Sequence, residues 1–379
     1  MKGIVKKMIY LDNAATTKPS DNAVKAVVNA MEEFGNPSSL HGLGIKSEKI
    51  IESSREAVAK RLGVRKKDIY FTSGGTEANN TAIFGTALNL RKRGNHLITS
   101  SIEHPSVLEA FKELEKNGFE VSYINPDETG VINAERIAEA MKEDTILVSV
   151  MSVNNETGIV QPVGEISDIV HSKSSIAVVH SDCVQAFCKT DCMQKKLGAD
   201  IITVSSHKIH GPKGVGALYT GGRIKPLLYG GEQQGRIRPG TENVPGIAGF
   251  GAAVSEDYGN CDILYDTLKN EILSEIDDVK INGDEQFASK YILNVSFRKI
   301  KAEILLHSLE ARGIYASTGS ACSSHKPDPS HVLLAMGVDR KDIDGSLRFS
   351  FDSSLTETDM KNTAAVLKEE IAKIRKYVR

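Results

Sequence analysis

The sequence predicts an α/β protein with a mostly parallel seven-stranded sheet, helices on both faces of that sheet, and a smaller α/β domain. Apolar runs rich in β-branched residues alternate with amphipathic helical stretches from about residue 45 to about residue 220, which is typical of repeated strand–helix–strand units. Several of these runs are apolar almost throughout, as expected for strands that helices cover on both sides. After residue 250 the predicted strands are shorter, which indicates a second unit.

The pattern places each element in order along the chain. The predicted strands of the large sheet are residues 69–72, 96–100, 120–124, 146–153, 176–180, 201–205 and 215–219. The predicted helices between them are residues 47–62, 77–93, 106–117, 134–142 and 163–172. Residues 219–246 are rich in Gly and Pro and are predicted to be irregular.

The smaller unit follows this irregular stretch. We predict a helix over 247–277 with a break near 257–261, then strands at 291–296, 314–317 and 347–351, and a last helix at 356–377. The predicted domains are therefore a large one, residues 13–255, and a small one, residues 1–12 together with 256–379.

The composition excludes several classes of protein. The 379 residues include 47 Lys and Arg and 49 Asp and Glu, so the basic excess of a nucleic-acid-binding protein is missing. The sequence has no apolar run near the roughly 18–20 residues of a membrane helix and no signal-peptide pattern. Five cysteines are too few, and odd in number, for a disulfide framework. We therefore expect a cytoplasmic protein that contacts neither membrane nor nucleic acid directly.

A turn of small residues follows the first predicted strand of the large sheet. Ser73-Gly74-Gly75-Thr76-Glu77 leads into a predicted helix, and the free N–H groups at a helix start favour an anion such as phosphate. The alternative is an ordinary glycine turn with a capping hydroxyl. The chain has neither the Gly-x-Gly-x-x-Gly nor the Gly-x-x-x-x-Gly-Lys pattern, which disfavours a dinucleotide-dependent oxidoreductase and a nucleoside-triphosphate loop.

Two charged residues follow later strands. Asp182 comes just after residues 176–180, where a carboxylate needs a protonated heterocycle, a metal or an Arg as partner, unless it merely caps a turn. Lys208 comes just after residues 201–205, where desolvation of the amine favours Schiff-base chemistry, although a solitary lysine usually lies at the surface. His207 and His210 lack a zinc-binding spacing, so no metal is predicted.

These three features together match the requirements of pyridoxal 5'-phosphate. Its phosphate needs N–H and hydroxyl donors, its ring nitrogen needs a carboxylate, and its aldehyde needs a lysine amine. The turn after residue 72, Asp182 and Lys208 supply these groups. We therefore predict this cofactor.

Two further segments carry candidate residues. Cys322 lies among Gly, Ser and Ala at positions 317–324, a setting that suits a reactive thiol or an unremarkable loop cysteine. Strand 347–351 alternates, so that Arg348 and Ser350 share the face opposite Leu347 and Phe349. An Arg held on a strand can bind a substrate carboxylate through two hydrogen bonds, although most such residues form surface ion pairs.

The chain resembles the pyridoxal-phosphate-dependent cysteine desulfurases of the class V aminotransferase family, and the resemblance is nearly end to end. It rests on matching blocks at residues 10–17, 35–39, 102–106, 154–158, 206–214, 319–322 and 347–350. The resemblance implies the type I fold of pyridoxal-phosphate-dependent transferases. Two segments depart from the family pattern: Cys183 stands where Ala is usual, and residues 229–234 read Tyr-Gly-Gly-Glu-Gln-Gln instead of His-Gly-Gly-Gly-Gln.

The resemblance also implies a role for each matching residue. Lys208 would bind the cofactor aldehyde, Asp182 the ring nitrogen and Gln185 the ring oxygen. His104 would stack on the ring and move protons. The residues implied to hold the phosphate are Gly75, Thr76, Ser205, His207 and, from the neighbouring subunit of a homodimer, Thr241. Those implied to bind the substrate are Asn13, Asn155 and Arg348, of which Asn155 also contacts the cofactor.

The implied reaction is the conversion of L-cysteine to L-alanine. Cys322 would take the sulfur as a persulfide and pass it to an acceptor protein for iron–sulfur cluster assembly or tRNA thiolation. A selenocysteine lyase would use the same residues and stays open as an alternative. A transaminase has no need of a thiol in such a loop, and a non-catalytic sulfur carrier or scaffold has no need of Lys208, Asp182 and His104.

Overall fold

The computed structural model describes residues 8–222, 224–319 and 329–377. Within these ranges the strands are β1 (Ile9–Tyr10), β2 (Ile69–Thr72), β3 (His96–Ser100), β4 (Glu120–Ile124), β5 (Thr145–Ser149), β6 (Val178–Asp182), β7 (Ile201–Ser205), β8 (Gly216–Thr220), β9 (Val279–Ile281), β10 (Ile292–Phe297), β11 (Ile314–Tyr315) and β12 (Ser346–Ser350).

The α-helices of the same ranges are α1 (Asp21–Glu32), α2 (Gly42–Leu62), α3 (Gly75–Leu90), α4 (Pro105–Lys116), α5 (Ala134–Ala140), α6 (Val163–Lys173), α7 (Gln194–Leu197), α8 (Val244–Val254), α9 (Asp262–Glu275), α10 (Ala302–Glu310), α11 (His331–Ala335), α12 (Arg340–Ile343) and α13 (Glu357–Tyr377). The described helices include none that is both long and apolar enough to cross a membrane.

The large sheet has seven strands in the order β2-β8-β7-β6-β5-β3-β4. Strands β7, β6, β5, β3 and β4 pair in parallel, and β8 runs antiparallel to β2 and β7. The prediction of a mostly parallel seven-stranded sheet is confirmed. The parallel strands all end at one edge, where open α/β sheets bind ligands.

Helices cover both faces of this sheet, and the strand residues show why. Leu97 packs in one apolar cluster with α3 and α4, while its neighbour Ile98 packs in the cluster on the opposite face, with α1, α2, α6 and α8. The pairs Leu147 and Val148, Val178 and Val179, and Ile201 and Ile202 divide in the same way. Because successive strand side chains point to opposite faces, a continuous apolar run buries both.

A second, smaller core lies beyond the large sheet. The antiparallel sheet β12-β10-β9 packs with α9, α10 and α13, and β1 pairs with β11. Leu11 and Ala14 belong to this core although they lie near the start of the chain. The division into residues 13–255 and 1–12 with 256–379 stays a prediction.

Some element bounds differ from the predicted ones. The helix predicted over 247–277 is two helices, α8 and α9, and Gly259 with a φ of +58° lies in the break between them. The strand predicted over 146–153 ends at Ser149. Helix α1 was not predicted, because Val24, Val28 and Met31 are exposed in it and its buried side chains are only alanines.

Candidate active site

A cavity of about 350 Å³ lies at the carboxyl ends of the parallel strands. Segments after β2, β3, β5, β6 and β7 contribute to it, together with the N-terminal segment and β12. Its lining residues are Ala14, Ala15, Gly75, Thr76, Asn79, His104, Ser106, Met151, Val153, Asn155, Asp182, Val184, Gln185, Ser205, His207, Lys208, Gly319 and Arg348. The topology therefore brings most of the predicted site residues into one cavity.

One end of the cavity suits an anion. Gly75 begins the 16-residue helix α3, whose first N–H groups have no partner within the helix. A Cβ atom at Gly75 would lie 2.9 Å from Val184 Cγ2, so this turn approaches its neighbour more closely than a side chain permits. Gly75, Thr76, Ser205 and His207 also line an adjoining cavity that includes Lys213.

His207 is neutral in this environment. Burial, together with the charges of Lys208 and Lys213, lowers the pKa of its imidazole to about 4. Its Nδ1 lies 3.1 Å from Thr16 Oγ1. Hydroxyl groups, N–H groups and a neutral imidazole thus lie together in this part of the cavity, with the lysine charges nearby.

Asp182 ends β6 and is buried at 5% exposure. Its Oδ2 accepts a hydrogen bond from Asn79 Nδ2 at 2.7 Å, and its Oδ1 accepts one from the Val184 N–H at 2.9 Å. These two donors fix the orientation of the carboxyl group at the cavity wall. Asn79 was not predicted as a site residue. The sequence feature that indicates it is a polar Asn between Ala78 and Ala82 on the buried side of α3.

Lys208 ends the short 3₁₀ helix that follows β7. Its Nζ donates to the carbonyl oxygens of Ala14 and Ala15, each at 2.7 Å. The Ala14 carbonyl also accepts from Gln185 Nε2 at 2.8 Å. These backbone carbonyls hold the amine in the cavity near Asp182 and His207.

His104 lies at the start of α4 as its capping residue. Its Nδ1 accepts the Ser106 N–H at 3.1 Å and lies 2.8 Å from Ser106 Oγ. Burial lowers the pKa of His104; the Asp182 carboxylate acts against this, and the Lys208 charge adds to it. Ser106 is a second cavity residue that was not predicted.

Glu103, which immediately precedes His104 in the chain, has a buried carboxyl group. Its Oε1 accepts from Ser100 Oγ at 2.6 Å and from the Met151 N–H at 2.8 Å. Its Oε2 is buried and has no hydrogen-bond partner among the described residues. Burial raises the pKa of Glu103 to about 8, so the group is protonated at neutral pH.

Arg348 lies on β12, is 3% exposed and lines the same cavity. Its Nη1 donates to the Asn155 carbonyl oxygen and its Nη2 to Asp12 Oδ1, each at 2.8 Å. Its Nε is buried without a hydrogen-bond partner in the part of the chain that the structure describes. An unused donor on a fixed guanidinium suits a carboxylate ligand.

Two predicted residues do not line this cavity, and a third lies outside the described residues. Asn13 is buried beneath it and donates from Nδ2 to the carbonyl oxygens of Tyr10 and Ser350. Thr241 is exposed, and the guanidinium of the nearby Arg238 donates to Glu77 in the first turn of α3 at 3.0 Å. Cys322 lies outside the described residues.

The segment that departs from the family pattern is tied to the large sheet. Gln234 Oε1 accepts from the Phe71 N–H at 2.9 Å and from Arg55 Nη1 at 3.1 Å. Its Nε2 donates to Glu242 Oε1 at 3.2 Å, next to Thr241. Gln234 is buried, so this segment is anchored on β2 through an amide.

The four described cysteines are free thiols in the protein core. Burial raises the pKa of Cys183 well above its ordinary value, and it raises the pKa of Cys188 and Cys261 to about 12 and of Cys192 to about 11. Since the thiolate is the nucleophilic form, these four groups are poor nucleophiles at neutral pH.

The chain matches a known protein family over most of its length. The model of the family Aminotransferase class-V matches residues 9–362. A protein named cysteine desulfurase IscS from Methanosarcina thermophila is 43% identical, with 97% of this chain and 93% of the relative covered. The putative cysteine desulfurase IscS 1 of Bacillus subtilis is 40% identical, with 94% and 96% covered.

Two solved structures are similar over most of the chain. A NifS-like protein superposes with a TM-score of 0.90 at 37% identity, covering 97% of this chain and all of its own. A structure described as SspA in complex with cysteine superposes with a TM-score of 0.82 at 34% identity, covering 90% of this chain and 98% of its own.

Proposed function

The chain belongs to the class-V aminotransferase family, and from this membership we propose that it is a cysteine desulfurase, which converts L-cysteine to L-alanine and transfers the sulfur to an acceptor. The relatives named cysteine desulfurase support this activity over nearly the full length of the chain. The observation that carries the proposal is the shared cavity, which is lined by an amine, a buried carboxylate and a guanidinium held on a strand.

The residues present fit pyridoxal 5'-phosphate. Gly75 lets the start of α3 pack closely against Val184, and the first N–H groups of this helix remain available to a phosphate. Gln185 Oε1 is buried and lacks a hydrogen-bond partner among the described residues, so it is available to a ligand. Thr76, Ser205 and His207 would bind the phosphate, Asp182 would keep the ring nitrogen protonated, and Lys208 would bind the aldehyde. When bound, this group withdraws electrons from the Cα atom of the amino acid.

The substrate would be held beside Arg348 and Asn155, which line the same cavity. We assign its carboxylate to the guanidinium of Arg348 and to Asn155, because the buried Nε of Arg348 has no hydrogen-bond partner among the described residues. The position of the Lys208 amine, held by two backbone carbonyls, suits proton transfer at Cα. Arg348 binds and orients, and Lys208 moves the proton.

Cys322 would receive the sulfur. Its thiolate forms an S–S bond with the sulfur of L-cysteine while the carbon–sulfur bond breaks; a proton replaces sulfur on Cβ, and L-alanine leaves. The four other thiols are buried with raised pKa values, which supports this assignment by elimination among the five cysteines. The persulfide would then pass its outer sulfur to an acceptor protein for iron–sulfur cluster assembly or tRNA thiolation.

We also propose that the protein works as a homodimer with shared sites. Val24, Val28 and Met31 lie on one face of α1 and are 48–63% exposed, and Phe34 beyond the helix is 80% exposed. An apolar surface of this kind favours burial against another protein. Thr241, which is exposed and does not line its own cavity, would reach the phosphate of the partner.

The proposal is tested by incubating the cofactor-loaded protein with L-cysteine and, separately, with L-selenocysteine. We expect L-alanine from L-cysteine and a mass increase of one sulfur atom on the peptide that contains Cys322. In Cys322→Ser the alanine and the added mass should both disappear, whereas Cys261→Ser, a buried thiol in the small core, should retain both. Alanine formation at full rate in Cys322→Ser would contradict the persulfide step. Alanine from selenocysteine alone would identify a selenocysteine lyase.

A further inference from the structure

The amide of Asn79 uses every hydrogen-bonding atom that it has. Its Nδ2 donates to Asp182 Oδ2 at 2.7 Å and to Ser106 Oγ at 2.9 Å, and its Oδ1 accepts from Thr203 Oγ1 at 2.5 Å. Rotating the amide by 180° would place Oδ1 against the Asp182 carboxylate, two acceptors in contact. The orientation of Asn79 is therefore fixed, and it is 1% exposed.

This orientation determines the direction of the next hydrogen bond. Ser106 Oγ accepts from Asn79, so its own proton is free to be donated, and His104 Nδ1 lies 2.8 Å away. The Ser106 N–H donates to the same nitrogen at 3.1 Å. Two donors thus converge on His104 Nδ1, and a neutral imidazole whose Nδ1 accepts carries its proton on Nε2.

We propose that Asn79 and Ser106 are positioning residues that fix His104 as the Nε2–H tautomer and connect its orientation to the Asp182 carboxylate through a single amide. The burial of His104 acts in the same direction, because it lowers the pKa of the imidazole and keeps the ring neutral. In this state His104 provides a hydrogen-bond donor at Nε2 and no free basic nitrogen.

The consequence for turnover rests on the proposed function. A neutral His104 held in this way stabilises a developing negative charge by donating from Nε2, and it does not abstract the Cα proton, which is left to Lys208. For His104 to be protonated at Nδ1, this atom must lose the two hydrogen bonds that it accepts from Ser106. The Ser106 hydroxyl can rotate away, but the Ser106 backbone N–H cannot. The Ser106 hydroxyl therefore adds to the resistance of His104 against protonation.

The tautomer is measured by NMR of protein labelled with ¹⁵N in its ten histidines, with the signals of His104 assigned by their loss in His104→Gln. In the wild type at pH 8 we expect Nδ1 to show the shift of an unprotonated nitrogen and Nε2 that of a protonated one. Ser106→Ala should move the Nδ1 shift and raise the titration midpoint of His104 by about one pH unit, the loss of one hydrogen bond. Ser106→Thr, which keeps the hydroxyl, should restore the wild-type midpoint.

Two further comparisons separate this effect from general loss of structure. Ser20→Ala removes the capping hydroxyl of α1, away from the cavity, and should leave the His104 midpoint unchanged. Ser106→Cys, a weaker donor, should give an intermediate midpoint. In an Asn79→Ala background Ser106→Ala should shift the midpoint less than it does in the wild type, because the hydroxyl has lost the partner that orients it.

The outcomes distinguish this inference from the proposed function. A wild-type His104 with the proton on Nδ1, or the same midpoint in Ser106→Ala as in the wild type, overturns the inference whatever the activity. If the midpoint moves as expected, the tautomer assignment holds. In the pH profile of kcat/KM for L-cysteine, the acidic limb should then shift by the same amount as the His104 midpoint. An acidic limb that does not shift would overturn the role of His104 in the proposed reaction.

Discussion

The Nη2 atom of Arg348 donates to Asp12 Oδ1 at 2.8 Å, across 336 positions of the chain. Asp12 also pairs with Ser350 through an isolated parallel bridge, so the N-terminal segment runs beside β12. Since each Nη atom makes one hydrogen bond, to Asp12 or to the Asn155 carbonyl, the guanidinium is held in one orientation, and its Nε has no partner among the residues that the structure describes. This fixed orientation is what a carboxylate-binding arginine needs.

Arg348→Lys should therefore raise the KM for L-cysteine. A lysine keeps the charge but loses the planar set of donors, and a charge-assisted hydrogen bond contributes about 1.5–3 kcal/mol, or roughly a 10- to 150-fold change. Steady-state rates over a range of L-cysteine concentrations measure the effect. Arg298→Lys, which changes an ion pair between an exposed guanidinium and the buried Asp342 outside the cavity, is the control and should leave KM unchanged. An unaltered KM in Arg348→Lys would remove this residue from substrate binding.

Gly75→Ala should weaken cofactor binding. The new Cβ atom would lie 2.9 Å from Val184 Cγ2 and 3.6 Å from Ser205 Cβ, so the cradle must widen where the phosphate would bind. Titrating cofactor-free protein with pyridoxal 5'-phosphate and following the absorbance should give a Kd raised about tenfold or more, about 1.4 kcal/mol or above. The matched control is Gly42→Ala, whose Cβ meets nothing within 4 Å. Equal Kd values for Gly75→Ala and Gly42→Ala would contradict a phosphate at this turn.

Glu103 should make the protein less stable as the pH rises. Its pKa is about 8 in the folded protein against 4.5 as the ordinary value, so between these pH values the folded state holds a proton that the unfolded state has lost. Stability must then fall as the pH rises through this window and level off above pH 8. Glu103→Gln does not titrate, so its Tm relative to the wild type should increase from pH 5 to pH 8, by at least about 3 °C.

The control for this titration is Glu128→Gln at an exposed position. Its Tm relative to the wild type should not show the trend expected for Glu103→Gln, because the Glu128 side chain is exposed and not buried like that of Glu103. Differential scanning calorimetry at several pH values measures both variants. If the Tm difference between Glu103→Gln and the wild type were also independent of pH, Glu103 would be ionised in the folded protein.

Mixing two variants should test the shared site of the proposed homodimer. Lys208→Ala lacks the cofactor-binding amine, and Thr241→Ala lacks the hydroxyl that would reach the partner's phosphate. In a mixed dimer one site combines the intact Lys208 of one subunit with the intact Thr241 of the other. At limiting cofactor we expect this dimer, isolated with two different tags, to exceed the activity of either parent severalfold. Activity no higher than the average of the parents would place Thr241 in its own subunit's site or in neither.

Much of the fold was accessible from the sequence because its cause is local. Ile201–Ser205 and Ile69–Thr72 were predicted with the bounds that the structure has, since short apolar runs between turn residues have few alternatives. Helix α1 was missed because its exposed Val24 and Met31 do not follow the pattern of a buried helix face. That exposure depends on what covers the surface, and local sequence holds no information about it.

The sequence by itself determined the strand–helix rhythm and the chemical groups that follow the strands, because both depend on neighbouring residues and on the period of side-chain burial. Only the tertiary structure decided that Asn79 connects Asp182 to Ser106, that Arg348 faces Asp12, and that Asn13 lies beneath the cavity and not on its wall. The physical reason is that hydrogen bonds between distant segments depend on strand order and on distances of a few tenths of an ångström, neither of which is encoded in any one segment.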